Sequence, residues 1–112
     1  SPGTVTVSVR ATAAGLPTGA DLQSFTFNGN DLPLTAVWRT YTITGQALTN
    51  GTKYAVVVRA MGGDASNKLL WRADQSSPTY TGGARCSSTD SGGTWTEDTV
   101  IDYLFEEGVG QL

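Results

Sequence analysis

The sequence predicts an all-β fold, a sandwich or small barrel, on three observations. Thr, Ser and Gly are abundant, with 14 glycines, and charged residues make up only 15% of the chain. Apolar and polar residues alternate with period two in several short segments. Gly, Pro, Asn and Asp separate those segments at short intervals. At 112 residues, one domain over 1–112 with a single core is the expected organisation.

The first strand is "TVTVSVR", where Val5, Val7 and Val9 point one way and Thr6, Ser8 and Arg10 the other. "AAGLPTGAD" is composed as a turn. "LQSFTFNGN" gives a second strand with Phe25 and Phe27 on one face, ending at Asn28-Gly29, and a loop follows through Asp31 and Pro33. "VWRTYTIT" alternates Val37, Arg39, Tyr41 and Ile43 against Trp38, Thr40, Thr42 and Thr44, which leaves open the face it buries. "NGTKYAVVVRA" starts on the Asn50-Gly51 turn and is apolar on both faces from Ala55 to Val58, the pattern of a central strand. After "MGGDASN", "KLLWRA" sets Leu69, Trp71 and Ala73 against Leu70 and Arg72, and "DQSSPTYTGG" is a long polar loop carrying Tyr80. "ARCSS" and "TWT" flank another turn, and "TVIDYLFEE" places Ile101, Tyr103 and Phe105 on one face. The count is about eight short strands and no helix.

A formal charge of −3 gives no basic surface to track phosphates, so nucleic acid is not an expected partner. No apolar run reaches the roughly 18 residues that span a bilayer, and no charged-then-apolar leader opens the chain. Membrane insertion is therefore not expected, and Ser1 in place of Met reads as a trimmed, soluble chain. Cys86 is the one cysteine and His is absent, so a thiol nucleophile would have no imidazole base. A small half-buried hydrophobe is the favoured role for Cys86.

Among the carboxylates, Asp64, Asp74, Asp90, Glu97, Asp98 and Asp102 could supply an acid–base pair, but most sit in polar loops where solvent keeps their acidity ordinary. "GGDASN" offers Asp64, Ser66 and Asn67 as oxygen ligands for Ca²⁺, yet lacks the acidic run and closing Glu of a calcium loop, so a solvated turn is favoured. No nucleophile–base pair, metal cluster or phosphate loop can be assembled, and the expectation is a non-enzyme without metal or cofactor. The aromatics carry the best binding hypothesis, because sugars stack C–H faces on indole and phenol rings. The candidates are Trp38, Trp71 and Tyr80. Trp71 shares its alternation with Leu69 and fits a core equally well, Trp38 could cover a sheet face, and Tyr80 is least committed to a core. Arg39, Arg59 and Arg72 are placed for one exposed face, where pairing with Asp or Glu is favoured. Asn50-Gly51-Thr52 fits both a glycosylation sequon and a hairpin turn.

"SSTDSGGTWT" sets Ser88, Asp90, Gly92, Thr94 and Trp95 in the order S-x-D-x-G-x-T-W. The Ser and Asp side chains suit bonds to backbone N–H groups, Gly92 and Gly93 suit positive φ, and Trp95 suits inward packing. This stretch resembles the Asp-box of sialidases, where the box is repeated around a propeller, away from the catalytic centre. Here it occurs once, in a chain of 112 residues that cannot supply several four-stranded blades. The resemblance implies a structural hairpin, with a Ca²⁺-binding or ligand-contacting loop around Asp90 as the lesser alternative.

A longer resemblance runs through "SPGTVTVSVRAT", "LPTGADL", "WRTYTI", "LTNGTKYAVVVRAMGGDASNKLLWRAD", "SSPTYTGGARCSSTDSGGTWT" and "DYLFEE". Over nearly its whole length the chain resembles a jelly-roll module, of the choice-of-anchor type, from bacterial surface proteins and phage structural proteins. That resemblance implies a jelly-roll-like sandwich of about eight antiparallel strands. It also implies a non-catalytic, extracellular role at a cell surface or in a virion, with other chains of the same or a related assembly as partners and glycans as the alternative. Relatives of that kind carry further strands before the segment matching Gly3 to Val9, and often a larger residue where Cys86 stands. The expectation that follows is an open sheet edge completed by another chain.

Overall fold

Every strand pairing is antiparallel in the computed structural model, which describes residues 2–41, 48–49, 51–64, 66–71, 73–74, 84–90 and 92–103. The protein is mostly β. The described residues form seven strands: β1 (Thr4–Ala13), β2 (Leu16–Asn28), β3 (Tyr54–Arg59), β4 (Ala73–Asp74), β5 (Arg85–Ser87), β6 (Thr96–Asp98) and β7 (Asp102–Tyr103). One 3-10 turn, Gly29–Asp31, follows β2. A three-stranded sheet has the order β2-β1-β3, and two small sheets pair β4 with β7 and β5 with β6. The chain divides into two compact units, Ser1–Leu70 and Trp71–Leu112. Among the described residues no helix is long and apolar enough to cross a membrane.

In the first unit, β1 turns into β2 through Ala14 and Gly15, at φ of 52° and 80°. Positive φ at both central residues matches the right-handed twist of the flanking strands. The turn predicted over "AAGLPTGAD" is therefore confined to two residues, and β2 resumes at Leu16. Pro17 is tolerated because, among the described residues, β2 is an edge strand of this sheet. Thr4 to Val9 pair with Asn28 to Gln23, and Ala11 pairs with Thr18. Arg10 alone thus stands opposite the stretch 19–22, an irregularity that includes Gly19 at φ 71°.

Strand order overturns one expectation. Among the described residues "YAVVVR" is not central: β3 lies at the edge of the sheet, and Val56 is 53% exposed. The central strand is β1, with Val5 and Val9 buried on one face and Ser8 buried on the other. Its backbone is bonded on both edges, to β2 and to β3, while Thr6, Val7 and Arg10 remain half-buried.

Two further predicted strands change. Residues 37–41 have no strand conformation; Val37 and Trp38, on opposite parities, are both exposed, so no face is buried to favour a strand. Tyr41 instead lays its ring on Phe27 at 4.6 Å and Phe25 at 4.9 Å between centroids. Residues 42–44 of that prediction lie outside the described residues. Residues 68–71 are also irregular, although Leu70 is exposed and Leu69 and Trp71 are half-buried. Near the end, Ile101 precedes the strand, which covers Asp102–Tyr103. Phe105 lies outside the described residues.

Gly29 explains how the end of β2 meets the start of β1. Its N–H donates to the Gly3 carbonyl at 2.8 Å, and a Cβ there would stand 2.7 Å from Pro2 Cγ and 2.8 Å from Val5 Cγ2. Only a residue without a side chain permits this approach.

Candidate functional site

The irregularity in β2 has a chemical consequence. By simple alternation Asp21 would share the face of Gln23, Phe25 and Phe27, but the extra residues re-aim it toward Arg10 and Ser8 of β1 and Arg59 of β3. Arg10 Nε donates to Asp21 Oδ1 at 2.8 Å, and Arg59 Nη2 donates to Oδ2 at 2.8 Å. Arg59 Nη1 also reaches Asp21 Oδ1 and Ser8 Oγ, each at 3.4 Å. The Arg59 guanidinium, opposed by desolvation and assisted by Arg10 and the Ser8 hydroxyl, holds the Asp21 carboxyl well below the usual carboxylate range. Two cations share one anion here, and each strand of the sheet contributes to the cluster.

Beside it, an open cleft of about 310 Å³ is lined by Val58, Arg59, Gly63, Asp64, Lys68 and Leu69. Its carboxylate is already engaged: Asp64 Oδ1 accepts from the N–H groups of Ser66 and Asn67 at 2.8 Å and from Asn67 Nδ2 at 3.1 Å. Those donors, Ser66 N–H foremost, lower the pKa of Asp64. Backbone bonds between Asp64 and Asn67 close the same loop in both directions. The three residues weighed as calcium ligands thus bond one another.

In the second unit, β5 and β6 carry the S-x-D-x-G-x-T-W stretch between them. The Ser88 hydroxyl donates to Asp90 Oδ1 at 2.7 Å and accepts from the N–H of Gly92 at 2.8 Å. Asp90 Oδ1 also accepts from the Thr94 N–H at 2.8 Å, and the Asp90 carbonyl from the Gly93 N–H at 3.2 Å. The Ser88 hydroxyl, then the Thr94 N–H, hold the Asp90 carboxyl below its ordinary pKa. Gly92 has φ 89°, whereas Gly93 does not take the positive φ expected of it. Gly93 instead sits against Asp90, where a Cβ would meet Oδ2 at 3.2 Å. Trp95, immediately before β6, is half-buried.

The three sugar-stacking candidates do not form one described platform. Trp38 is 63% exposed, in an irregular stretch of the first unit with Leu34 and Val37 also exposed. Trp71 belongs to the second unit, where Tyr103 stacks on its ring at 4.2 Å and 7°. Tyr80 lies outside the described residues, as does Arg72. Arg39 is not on a strand; its Nη2 donates to the Asp31 carbonyl at 3.5 Å. Among the described residues no three of Cys, Asp and Glu gather as a metal-ligand set.

The charge cluster was not visible in the sequence, which set Asp21 in a turn and treated Arg59 as one of three surface arginines. The available signal was Arg10, a long cation on a strand otherwise built from Val, Thr and Ser. Comparison with family models, curated proteins and solved structures gives no match.

Proposed function

We propose that the chain is a non-catalytic structural or adhesive module of an extracellular assembly, at a cell surface or in a virion, whose partners are other chains of the same or a related assembly. The observation that carries this reading is a contrast between side chains. The carboxylates of Asp21, Asp64 and Asp90 are each taken up by the chain's own donors. Large apolar side chains meanwhile stand in solvent at Leu34 (107% exposed), Trp38 and Val56. Carboxylates so engaged are poor general bases, and large exposed apolar groups suit contact with another surface.

The finer fold belongs to the same proposal: a jelly-roll-like sandwich of about eight strands. Uniform antiparallel pairing and the tight β1–β2 hairpin support it. Backbone chemical shifts that give an eighth strand, with cross-strand contacts joining two facing sheets, are the expected result; a lone open sheet with no facing layer would overturn it.

The functional reading is tested by light scattering over a roughly hundredfold concentration range, since mass action drives assembly. The expected result is a mass that rises with concentration. A mass fixed at the monomer throughout overturns self-assembly as the role.

Trp38 supports a second reading, a carbohydrate-binding module, because its exposed ring is available to stack on a sugar. A glycan array signal that disappears in Trp38→Ala is the expected outcome of that reading. An empty array for the folded wild-type chain sinks it.

A further inference from the structure

We infer that the outer edge of β3 receives β3 of a second copy of this chain, antiparallel and centred on Val57, so that two sheets join into one. The inference rests on the assembly reading above and supplies its contact. Sheet edges expose a row of N–H and C=O groups that template pairing, and chains usually blunt them with proline, bulges or charge. The two edges of this sheet differ in that respect.

Along its outer strand β2 carries Pro17 and the irregularity over 19–22. By contrast, β3 runs in unbroken register from Tyr54 to Arg59 against Ala11 to Thr6. Its sequence, YAVVVR, contains neither Pro nor Gly. Its one charge, Arg59, is held by Asp21. Among the described residues no strand pairs with its outer side. Val56, at mid-strand, is 53% exposed.

The strand is also self-complementary. In a continuous antiparallel sheet, residues directly opposite share a face, so a two-fold axis must pass at a residue position. Centred on Val57, the pairing sets Val56 against Val58, Ala55 against Arg59 and Tyr54 against Ala60. Centred on Val56, it would set Lys53 against Arg59, a like-charge pair that is disfavoured. Charge therefore disfavours the Val56 register, and centring on Val57 sets each of Val56, Val57 and Val58 against a valine, so the apolar gain falls on Val56 and Val58.

The test uses the full chain. Val56→Lys replaces an exposed side chain with an edge charge, and Leu22→Lys does the same on β2, where Leu22 is 41% exposed. With native circular dichroism in both, Val56→Lys is expected to weaken self-association roughly tenfold and Leu22→Lys to leave it unchanged. A second measurement does not depend on the lysine variant: in a Cys86→Ser background, a spin label on Val56→Cys should show dipolar broadening between copies, and one on Leu22→Cys should not. If the wild-type chain associates while Val56→Lys matches it, or the label at 56 shows no broadening, the β3 edge is not the contact and the assembly reading survives. If the wild-type chain stays monomeric, the assembly reading itself falls.

Discussion

In the β1–β3 sheet, the bonds around Asp21, Arg59 and Ser8 join residues 11, 38 and 51 positions apart. In the β5–β6 hairpin, those of Ser88 and Asp90 join residues two to four apart. Closing a long loop costs more chain entropy than closing a short one, and non-local pairing must form before its contacts contribute. The sheet is thus a structure whose parts depend on distant partners, and the hairpin one whose turn is supported by its own side chains. That difference predicts where each will fail.

The largest effect is expected from removing the shared anion of the sheet. Asp21→Ala leaves Arg10 and Arg59 facing each other, with side chains only 19% and 33% exposed. Breaking a fully buried pair costs more, so allowing for solvent screening the loss should be about 2 kcal/mol in denaturant unfolding. Amide exchange sharpens the comparison: protection should fall across β1–β3 and change less at β5–β6. Equal loss in both would show that the hairpin draws its stability from elsewhere.

The same carboxylate sets an acid dependence. Its folded-state pKa is depressed, chiefly by Arg59, so its contribution is fully present above about pH 4 and is lost as pH falls below that. The stability gap between wild type and Asp21→Asn should therefore narrow on acidification through pH 4 to 2. A gap independent of pH in that window would mean that the carboxylate charge contributes nothing.

Gly29→Ala comes next. Its new methyl meets Pro2, Val5 and the Gly3 carbonyl at under 3 Å, and overpacking of this kind costs about 1–2 kcal/mol. The midpoint of urea unfolding should shift down without a change in slope. Wild-type stability would imply that the chain ahead of β1 moves aside freely, and that the sheet's non-local contacts stop at Thr4.

Legibility in the sequence followed the same division. The alternation of Val5, Val7 and Val9 and the shared face of Phe25 and Phe27 announce β1 and β2, because period-two burial is a local signal. The residue types from Ser88 to Thr94 likewise name local donors and acceptors, since a turn brings near neighbours together without help. What the sequence hid was non-local. "YAVVVR" is apolar on both parities and cannot say how many strands flank it. Asp21 looks like a turn residue until the β2 irregularity turns it toward Arg10 and Arg59. Residues 37–41 alternate convincingly, yet Tyr41 finds Phe25 and Phe27 by stacking rather than by strand pairing.

The smallest effect should come from the hairpin. Ser88→Ala removes the hydroxyl that accepts from the Gly92 N–H and donates to Asp90. The turn is partly open to solvent, so water can take over those bonds and the loss should be about 1 kcal/mol or less. Thr94 N–H retains its bond to Asp90, which should keep β5 and β6 in register. The readout is exchange of the Gly92 and Thr94 amides: Gly92 should accelerate strongly and Thr94 only slightly. If both accelerate together with the amides of Cys86 and Glu97, the turn is not supported by separable local bonds but is one cooperative unit, and the contrast with the sheet disappears.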